Sequence, residues 1–587
     1  MPAEFKPTRW SLEDIVPEPV ASTLESLLAD LDKRATAFES VRATLTDTME
    51  AAEFQRIIGD YEAILREAYR AYGYVQLLFF SDLRSQTALN LRDRIDQVLT
   101  GINNRTLFFT LWLKGLSPET VERLAPTGDY RYYLQNLLKY KPYTLGESEE
   151  QIINLKDTNG INAIVRLYDM ITSGFRFTAE VGGEKQTLTR DQIAALYRHP
   201  APEARAAAYQ ELFRVYEENS TVLAQIYSHR VRDWYSENMT LRNYPAPISA
   251  RNLDNDIPDE VVDVLLEVCR NNNDLFQRYF SLKAGWLGID KLRRYDIYAP
   301  LTASDKTFDF AESVDLIIDS FRRFSPEIAD MAMQVFADQH IDAEIRPNKR
   351  SGAFCYSVLP GMTPWVHVNY TGKARDVATL AHELGHAIHG IISGDHSLLT
   401  YHPSLPLAET ASVFSEMLLT DRLLAVETDP AVRRDILANA IDDAYATVQR
   451  QSYFTLFERE AHKKIMGGSM VHELGDAYLD NLREQFGDTV QLSDDFRWEW
   501  ITIPHIYHTP FYTYAYSFGQ LLVLSIYQQY RLEGESFIPR YKKLLAYGGS
   551  EEPAKVLQEA GFDIASTEFW QGGYDVLRGM IDELEQL

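Results

Sequence analysis

The sequence contains only two cysteines, Cys269 and Cys355, among 587 residues. Two thiols cannot form a disulfide framework, and they are too few for a structural zinc site made of thiolates in a single chain. Any metal ion would therefore have to be bound by histidine, aspartate or glutamate side chains.

Basic residues are also scarce, with 58 Lys and Arg against 85 Asp and Glu and a formal net charge of −27. A field of this sign repels a phosphate backbone, so we expect no nucleic-acid partner. The chain has no apolar run of about eighteen residues and no basic start followed by an apolar segment. We therefore expect a protein of the cytoplasm that does not associate with membranes. The sequence does not define its oligomeric state.

The composition, 45% hydrophobic and 12% aromatic, is typical of a packed globular protein, and the length favours two or more lobes. Residues 1–115 have helical periodicity. Residues 116–200 are predicted to be helical, with a β-hairpin that turns at Gly182 and Gly183 and completes the N-terminal lobe. Residues 201–587 are predicted to form the remaining domain.

The segment TLAHELGHAIHG, residues 379–390, places two histidines four positions apart. On a helix, His382 and His386 would lie on one face and could bind one ion, with Glu383 beside them. The apolar residues around them have helical period and would form a separate buried face. A second copy, VHELGDAYL, has Asp476 in place of the second histidine, and we interpret its His472 as part of a solvated helix start.

A catalytic zinc site needs a third protein ligand and an open coordination position. The segment SLPLAETASVFSEMLLTDRLLAV is predicted to be one buried helix on which Glu409, Ser412 and Glu416 form a polar line. A buried carboxylate is costly unless it meets a cation or hydrogen-bond donors. We therefore predict Glu409 as the third ligand. Glu416 is predicted to accept a proton from a ligand imidazole and fix its tautomer, with a salt bridge to another helix as the alternative.

The segment before the motif, GAFCYSVLPGMTPWVHVNYTG, is predicted to form two short strands, the second over Trp365–Tyr370. An exposed strand edge beside a metal site could pair with an extended peptide through main-chain hydrogen bonds. On this basis Trp365, His367 and Asn369 are predicted to bind substrate. The alternative is a strand that is fully paired within the sheet.

HELGHAIH followed by AETASVFSE resembles the oligoendopeptidase F and thimet oligopeptidase group of zinc peptidases. The segments RWSLEDIVPE, GAFCYSVLPGMTPWVHVNYTG and IPHIYHTPFYTYAYSFG also resemble the oligoendopeptidase F branch, so the resemblance covers most of the chain. It implies a mainly α fold in which two helical lobes surround a deep substrate channel, with a small β-sheet beside the metal helix. Residues 201–587 would then be the zinc metallopeptidase catalytic domain.

The resemblance also implies transition-state donors from the tyrosine-rich segment near residue 510. From their positions in the motif, His505, Tyr507 and Tyr514 are predicted to be these donors. Tyr512 is predicted to bind substrate. Tyr512 or His508 remains an alternative donor. A neutral phenol keeps its proton at neutral pH and can donate to a developing oxyanion.

The motif and the resemblance together predict a metalloendopeptidase with one Zn²⁺ per chain, and the resemblance implies that its substrates are short, unstructured oligopeptides. A zinc-bound water would attack, with Glu383 as general base and then acid. One alternative is a peptidase that releases dipeptides from the carboxyl end. Another is a catalytically silent peptide-binding protein, which the presence of Glu383 disfavours. Co²⁺ or Mn²⁺ could also occupy such a site.

Overall fold

A computed structural model describes residues 5–18, 20–181, 183–301 and 307–587 of the chain. The fold is mainly helical, as predicted. The helices before residue 300 are α1 (Val20–Glu39), α2 (Ala51–Ser81), α3 (Gln86–Gly115), α4 (Pro118–Leu124), α5 (Asp129–Lys139), α6 (Glu147–Asn159), α7 (Ile161–Ser173), α8 (Arg190–Ala195), α9 (Pro202–Glu218), α10 (Ser220–Trp234), α11 (Ser249–Asp254), α12 (Asp259–Asn271) and α13 (Asn273–Trp286).

The later helices are α14 (Phe310–Phe324), α15 (Pro326–Ala337), α16 (Ala374–Ile392), α17 (Leu405–Ala408), α18 (Ser412–Val426), α19 (Pro430–Ala444), α20 (Arg450–Met466), α21 (Val471–Phe486), α22 (Pro504–His508), α23 (Tyr514–Glu533), α24 (Ile538–Ala546), α25 (Pro553–Glu559) and α26 (Thr567–Glu585). The solvated helix start predicted for VHELGDAYL is confirmed. His472 is exposed in the first turn of α21, where Glu473 accepts the N–H of Met470.

The described strands are short and form three small sheets: β1 (Phe177–Val181) with β2 (Glu184–Leu188), β3 (Leu292–Arg293) with β7 (Val490–Gln491), and a sheet of β4 (Ile341–Asp342), β5 (Phe354–Tyr356) and β6 (Trp365–His367). β1 and β2 are antiparallel, which confirms the predicted hairpin. Gly183 has a φ of +85°, a conformation that favours glycine, whereas Gly182 lies outside the described residues.

The chain divides into two compact units, each built from three segments. The first unit comprises Met1–Lys141, Asp305–Val426 and Gln529–Asp563, and the second comprises Pro142–Ser304, Glu427–Gln528 and Ile564–Leu587. Contacts therefore divide the chain differently from the three consecutive segments predicted from the sequence, because each unit takes helices from distant parts of the chain.

In the first unit, the amphipathic helices α1, α2 and α3 pack on one another and on the three-stranded sheet. The apolar cluster that joins them to the sheet includes Leu28, Val75, Ile95, Val358 and Trp365, all of which are buried. Burying such side chains is the main driving force for folding. This core holds the sheet in place next to helix α16.

In the second unit, buried charges are paired. Arg294 donates to Glu499 at 2.8 Å, and Arg205 donates to Asp296 at 2.9 Å, with all four side chains almost fully buried. An unpaired charge at these depths would be strongly destabilising. Among the described helices of both units, none is both long and apolar enough to cross a membrane.

Candidate metal and active site

Helix α16 carries His382, Glu383 and His386. It begins directly after Lys373, whose backbone N–H donates to the Asp376 carboxylate at 3.1 Å in the first helical turn. A carboxylate at this end of a helix is favourable because it satisfies free N–H groups and complements the helix dipole. The predicted apolar face of the helix is confirmed at Val377, Leu380, Leu384 and Ala387, all of which are buried.

The two histidines and Glu409 converge on one point. Oε2 of Glu409 lies 3.4 Å from Nε2 of His382 and 3.5 Å from Nε2 of His386. Ligand atoms placed about 2.1 Å from a tetrahedral zinc ion would lie about 3.4 Å apart. The three potential ligand atoms all lie within 4.8 Å of one another. The residues present therefore fit a zinc ion with three protein ligands.

The sequence predicts that Glu409 lies on one continuous helix, and the structure shows that this prediction is wrong. The predicted helix is interrupted: α17 ends at Ala408, and α18 begins at Ser412. Glu409 is in the turn between them, where the Ser412 hydroxyl donates to its carboxylate at 2.6 Å. The turn directs the carboxylate toward α16, and the hydroxyl restricts its rotation.

Gly385 allows α16 and α18 to approach each other closely. A Cβ atom at this position would lie 2.6 Å from both the Ala411 carbonyl oxygen and the Ser412 Cα, and 2.7 Å from Ser415 Oγ. These distances are well below ordinary van der Waals contact. The glycine within HELGH thus brings the turn that carries Glu409 close to the histidines.

Each of the two candidate ligand histidines has a second partner. Glu416 Oε1 lies 2.5 Å from Nδ1 of His382, and the His386 ring bonds to the backbone of Ala408. A proton on Nδ1 of His382 leaves Nε2 free to bind a cation, as expected for a ligand imidazole. The role predicted for Glu416 agrees with this contact, whereas the contribution of Ala408 was not predicted because it comes from the main chain.

The electrostatics of the site favour a cation. Burial opposes protonation of His382, but the carboxylates of Glu416 and Glu409 outweigh it and raise its pKa to about 9. This shift indicates a strongly negative potential at the ring. Burial lowers the pKa of His386 to about 4, which favours the neutral form that binds metals.

Glu383 is 6% exposed, and burial raises the pKa of its carboxyl to about 7. The backbone N–H of Cys355 in strand β5 donates to this carboxylate. The side chain is therefore anchored beside the ligands, with a proton affinity suited to accepting and returning a proton near neutral pH.

Strand β6 is central in its sheet, paired with β4 on one side and β5 on the other. It spans Trp365–His367, shorter than predicted, and it has no exposed edge for a peptide. Trp365 is fully buried and donates through its indole to the Ser11 carbonyl at 2.8 Å. The ring of fully buried His367 contacts the Arg350 carbonyl, and Asn369 donates to the same carbonyl.

These contacts show that the prediction of β6 as an exposed edge strand is wrong. Pairing with β4, which comes from an earlier part of the chain, covers the second edge of β6. Among the described strands, β5 lies at the edge of this sheet. The side chains of Trp365, His367 and Asn369 bond to backbone carbonyls of segments beside the sheet, which ties those segments to β6.

In the second unit, the tyrosines near residue 510 differ in burial. Tyr507 is fully buried and stacked on Tyr168 at 3.9 Å between ring centroids. Tyr514 is also fully buried, and its hydroxyl accepts from Asn255 at 2.8 Å. Neither phenol is exposed to a substrate. Their predicted role as donors is therefore not supported by their position.

Other side chains of this segment share a partly exposed face. The Tyr516 hydroxyl lies 3.4 Å from Nε2 of His505, and the rings of His505 and Tyr512 are nearly parallel at 6.3 Å. His508, the alternative donor, faces Asp169 instead, with Nε2 2.8 Å from the carboxylate. Tyr516 belongs to the tyrosine cluster that the sequence marks as possible donors, but no specific role was predicted for it.

A second convergence of possible ligands, Asp157, Asp233 and Glu237, consists of carboxylates alone. Glu237 is bonded to Arg242 at 2.8 Å, and Asp233 lies 3.7 Å from Arg230. Arginines thus already contact two of these three carboxylates. The set with two imidazoles is the one that fits a catalytic zinc ion.

Comparisons with known proteins agree with this geometry. The family description Peptidase family M3 matches residues 195–576, and Oligopeptidase F matches residues 113–177. The chain belongs to peptidase family M3. It is a member of the oligoendopeptidase F group, as the sequence resemblance indicated, and hence a peptidase.

Two relatives of this family match nearly the whole chain. Oligopeptidase PepF of Bacillus subtilis is 24% identical over 98% of this chain and 87% of its own length. The chromosomal oligoendopeptidase F of Lactococcus lactis subsp. cremoris is 26% identical, covering 97% of this chain and 98% of its own.

Solved structures show the same fold. A chain from Chlamydophila abortus superposes with a TM-score of 0.89 at 24% identity, covering 99% of both chains. Oligoendopeptidase-F from Enterococcus faecium superposes with a TM-score of 0.71 at 21% identity, covering 96% of this chain and 99% of its own.

Proposed function

We propose that this member of peptidase family M3 is a zinc metalloendopeptidase that hydrolyses internal peptide bonds of short, unstructured oligopeptides. The observation that carries the proposal is the convergence of His382, His386 and Glu409 beside the buried carboxylate of Glu383. Zn²⁺ is the proposed ion, one per chain. The cytoplasmic location expected from the sequence remains a prediction.

The protein supplies the ligands and a group that moves protons. When bound, a zinc ion would lower the pKa of a water molecule to about 7 and polarise a peptide carbonyl. Glu383 takes up the proton that the nucleophile loses and returns it to the departing amine. The Cys355 N–H and the surrounding burial hold the Glu383 carboxylate in one orientation during both transfers.

Strand β5 is the proposed docking edge for the substrate main chain. The Cys355 N–H points to Glu383 and therefore away from the partner strand β6. In an antiparallel pair the N–H and the carbonyl of one residue face the same side, so the Cys355 carbonyl also faces the unpaired edge of β5. An extended peptide could add to this edge, and main-chain pairing places little demand on side chains. N-methylation of a single substrate amide should then raise KM at one position along a peptide and not at its neighbours.

The sequence resemblance implies that hydrogen-bond donors for the carbonyl oxygen come from the segment near residue 510, and within that segment we propose His505, Tyr512 and Tyr516. These three side chains share a partly exposed face, whereas Tyr507 and Tyr514 are buried. A donor aimed at the developing oxyanion is typically worth about 10² to 10³ in rate.

The proposed activity is tested with unstructured peptides of graded length, incubated with and without a chelator and analysed by mass spectrometry. We expect internal cuts that disappear with the chelator and that become slower for the longest peptides. Release of carboxyl-terminal dipeptides alone would replace the proposal with a dipeptide-releasing peptidase. Absence of any cut by a metal-loaded sample would contradict peptidase activity altogether.

A further inference from the structure

The second unit contains a cavity of about 530 Å³ beside helix α20. Cavities that bind small molecules typically have volumes of about 300 to 1,000 Å³. Helix α20, the segment 246–248 and Phe511 contribute to its lining. Its residues are separate in sequence from the metal ligands.

Most of the wall is apolar. This apolar surface is formed by Tyr235, Pro247, Ile248, Met466 and Phe511. Of these residues, Ile248 and Phe511 are almost fully buried. Such a surface favours an apolar group, because binding would remove both surfaces from water. The wall is therefore suited to the hydrocarbon part of a ligand.

One side of the cavity carries three nitrogen-containing side chains. Arg459, His462 and Lys463 follow one another at i, i+3 and i+4 on α20 and therefore lie on the same helix face. His462 is 3% exposed, and neither of its ring nitrogens has a hydrogen-bond partner among the described residues. Buried polar groups of this kind are normally satisfied by a partner or by water. These side chains point to a ligand with hydrogen-bonding oxygens.

One positively charged side chain at the cavity, Lys463, has no acidic partner among the described residues. Asp263 already pairs with Arg459 at 2.6 Å, and Asp259 accepts from Asn252 at 2.7 Å and from Ser249. Lys463 is exposed, and within the described part of the chain no ion pair involves its ammonium group. The Arg459 Nε likewise has no acceptor among the residues described. Asn252 and Ser249 are neutral, so the Asp259 carboxylate keeps its charge, and an anionic group would be favoured only beside Lys463 on α20.

The imidazole is suited to such a group. Burial, assisted by Arg230, lowers the pKa of His462 to about 3, so the ring is neutral at physiological pH. A neutral imidazole offers one N–H donor and one acceptor. Its N–H can donate to a carboxylate oxygen without a second buried charge.

Phe511 forms a fixed part of the wall. It has a φ of +57°, and its N–H donates to both oxygens of fully buried Glu458 at 3.0 and 3.1 Å. Its ring lies 4.5 Å from that of His462. Glu458 and His462 are four residues apart on α20, so one helix holds both the aromatic wall and the polar group.

We propose that this cavity binds a molecule with an apolar body of about phenylalkyl size that ends in a free carboxylate. The body packs against Phe511, Ile248 and Met466, while the carboxylate accepts from His462 and faces Lys463. The same chemistry is offered by a small free acid and by the carboxyl terminus of a short peptide.

The test uses the full-length, metal-loaded protein and 3-phenylpropionate, observed by saturation-transfer NMR. For eleven non-hydrogen atoms we expect a Kd on the order of 1 mM. 3-Phenylpropylamine and 3-phenylpropanol, which share the apolar body, should bind at least about five times more weakly. Equal binding of all three probes would overturn the assignment of a carboxylate.

Substitutions test whether the probe binds in this cavity. Ala246 is a partly exposed lining residue, and Ala246→Trp should abolish the signal by filling the cavity, whereas Ala207→Trp on the exposed face of α9 should not. Lys463→Glu, at an exposed position, should weaken binding about 5- to 10-fold. Binding that survives Ala246→Trp, or that disappears with a chelator in the wild type, would place the ligand elsewhere and overturn the proposal.

Acetylglycylphenylalanine serves as a second probe that distinguishes the two sources of the carboxylate. If only 3-phenylpropionate binds, the cavity takes a small free acid, and if both bind, it also takes a peptide terminus. If neither probe binds at a concentration of about ten times the expected Kd, the proposal is refuted. None of these outcomes depends on peptidase activity.

Discussion

Replacement of Gly385 by alanine should damage the metal site without touching a ligand. The added methyl group would lie 2.6 Å from the Ala411 carbonyl oxygen and from the Ser412 Cα, where ordinary contact begins at 3.4 Å. Both obstacles are backbone atoms, so α16 and α18 would have to separate by about 0.8 Å. Metal–ligand distances tolerate only about 0.2 Å. The turn that carries Glu409 would therefore move out of ligand range.

The expected loss can be measured by competition with a chromophoric chelator. We expect the affinity for Zn²⁺ to fall by about 10- to 100-fold, the range found when groups that orient ligands are removed. Overpacking of this kind also costs about 1 to 3 kcal/mol in the free energy of unfolding. The midpoint of thermal unfolding should therefore fall as well.

Gly59→Ala provides the matched control. Gly59 lies within helix α2, and a Cβ there would meet nothing within 4 Å. This replacement should leave metal affinity unchanged and stabilise the protein by about 0.5 to 1 kcal/mol, because alanine favours helix. Wild-type metal affinity in Gly385→Ala would refute the claim that helix approach sets the position of Glu409.

Further variants test individual side chains. Glu409→Ala should reduce bound metal to well below one ion per chain by elemental analysis, and one tightly bound ion would remove Glu409 from the ligand set. Glu416→Ala should weaken Zn²⁺ binding by about 10- to 100-fold in the chelator assay, with full affinity contradicting its role. Tyr516→Phe should lower kcat by about 10²-fold with unchanged metal content, whereas Tyr507→Phe should remain near wild type. The reverse ranking in steady-state assays would restore the donor role to Tyr507.

The convergence of the proposed metal ligands could be predicted from the sequence because part of its geometry is local. An interval of four residues fixes His382 and His386 on one face of a helix whatever the rest of the fold. Glu409 could also be predicted, because a carboxylate in an apolar segment needs a cation or hydrogen-bond donors. The structure brings all three together.

Features that depend on distant partners could not be predicted in the same way. The sequence indicated two strands before α16, but not that β4 would pair with β6 and leave β5 at the edge. Nor does the spacing of the tyrosines show which are buried. Tyr507 and Tyr514 are covered by Tyr168 and Asn255, which lie far away in the sequence.

The interruption at Glu409 has a different cause. Ser404 and Pro406 are typical of a helix start and the residues up to Val426 are apolar nearly all round, so the local pattern predicted one helix. The structure instead has a turn at 409–411, in which the Ser412 hydroxyl bonds to Glu409. The close packing of this turn on Gly385 is a tertiary contact that helical periodicity does not reveal.

The central claim is that Glu383 moves the proton while other residues hold the metal. Glu383→Gln tests it most directly, with metal content and kcat/KM on one internally cleaved peptide measured in the same preparation. We predict one bound ion per chain and a fall in kcat/KM of about 10² to 10⁴. Wild-type kcat/KM in a fully metal-loaded Glu383→Gln sample would contradict the account.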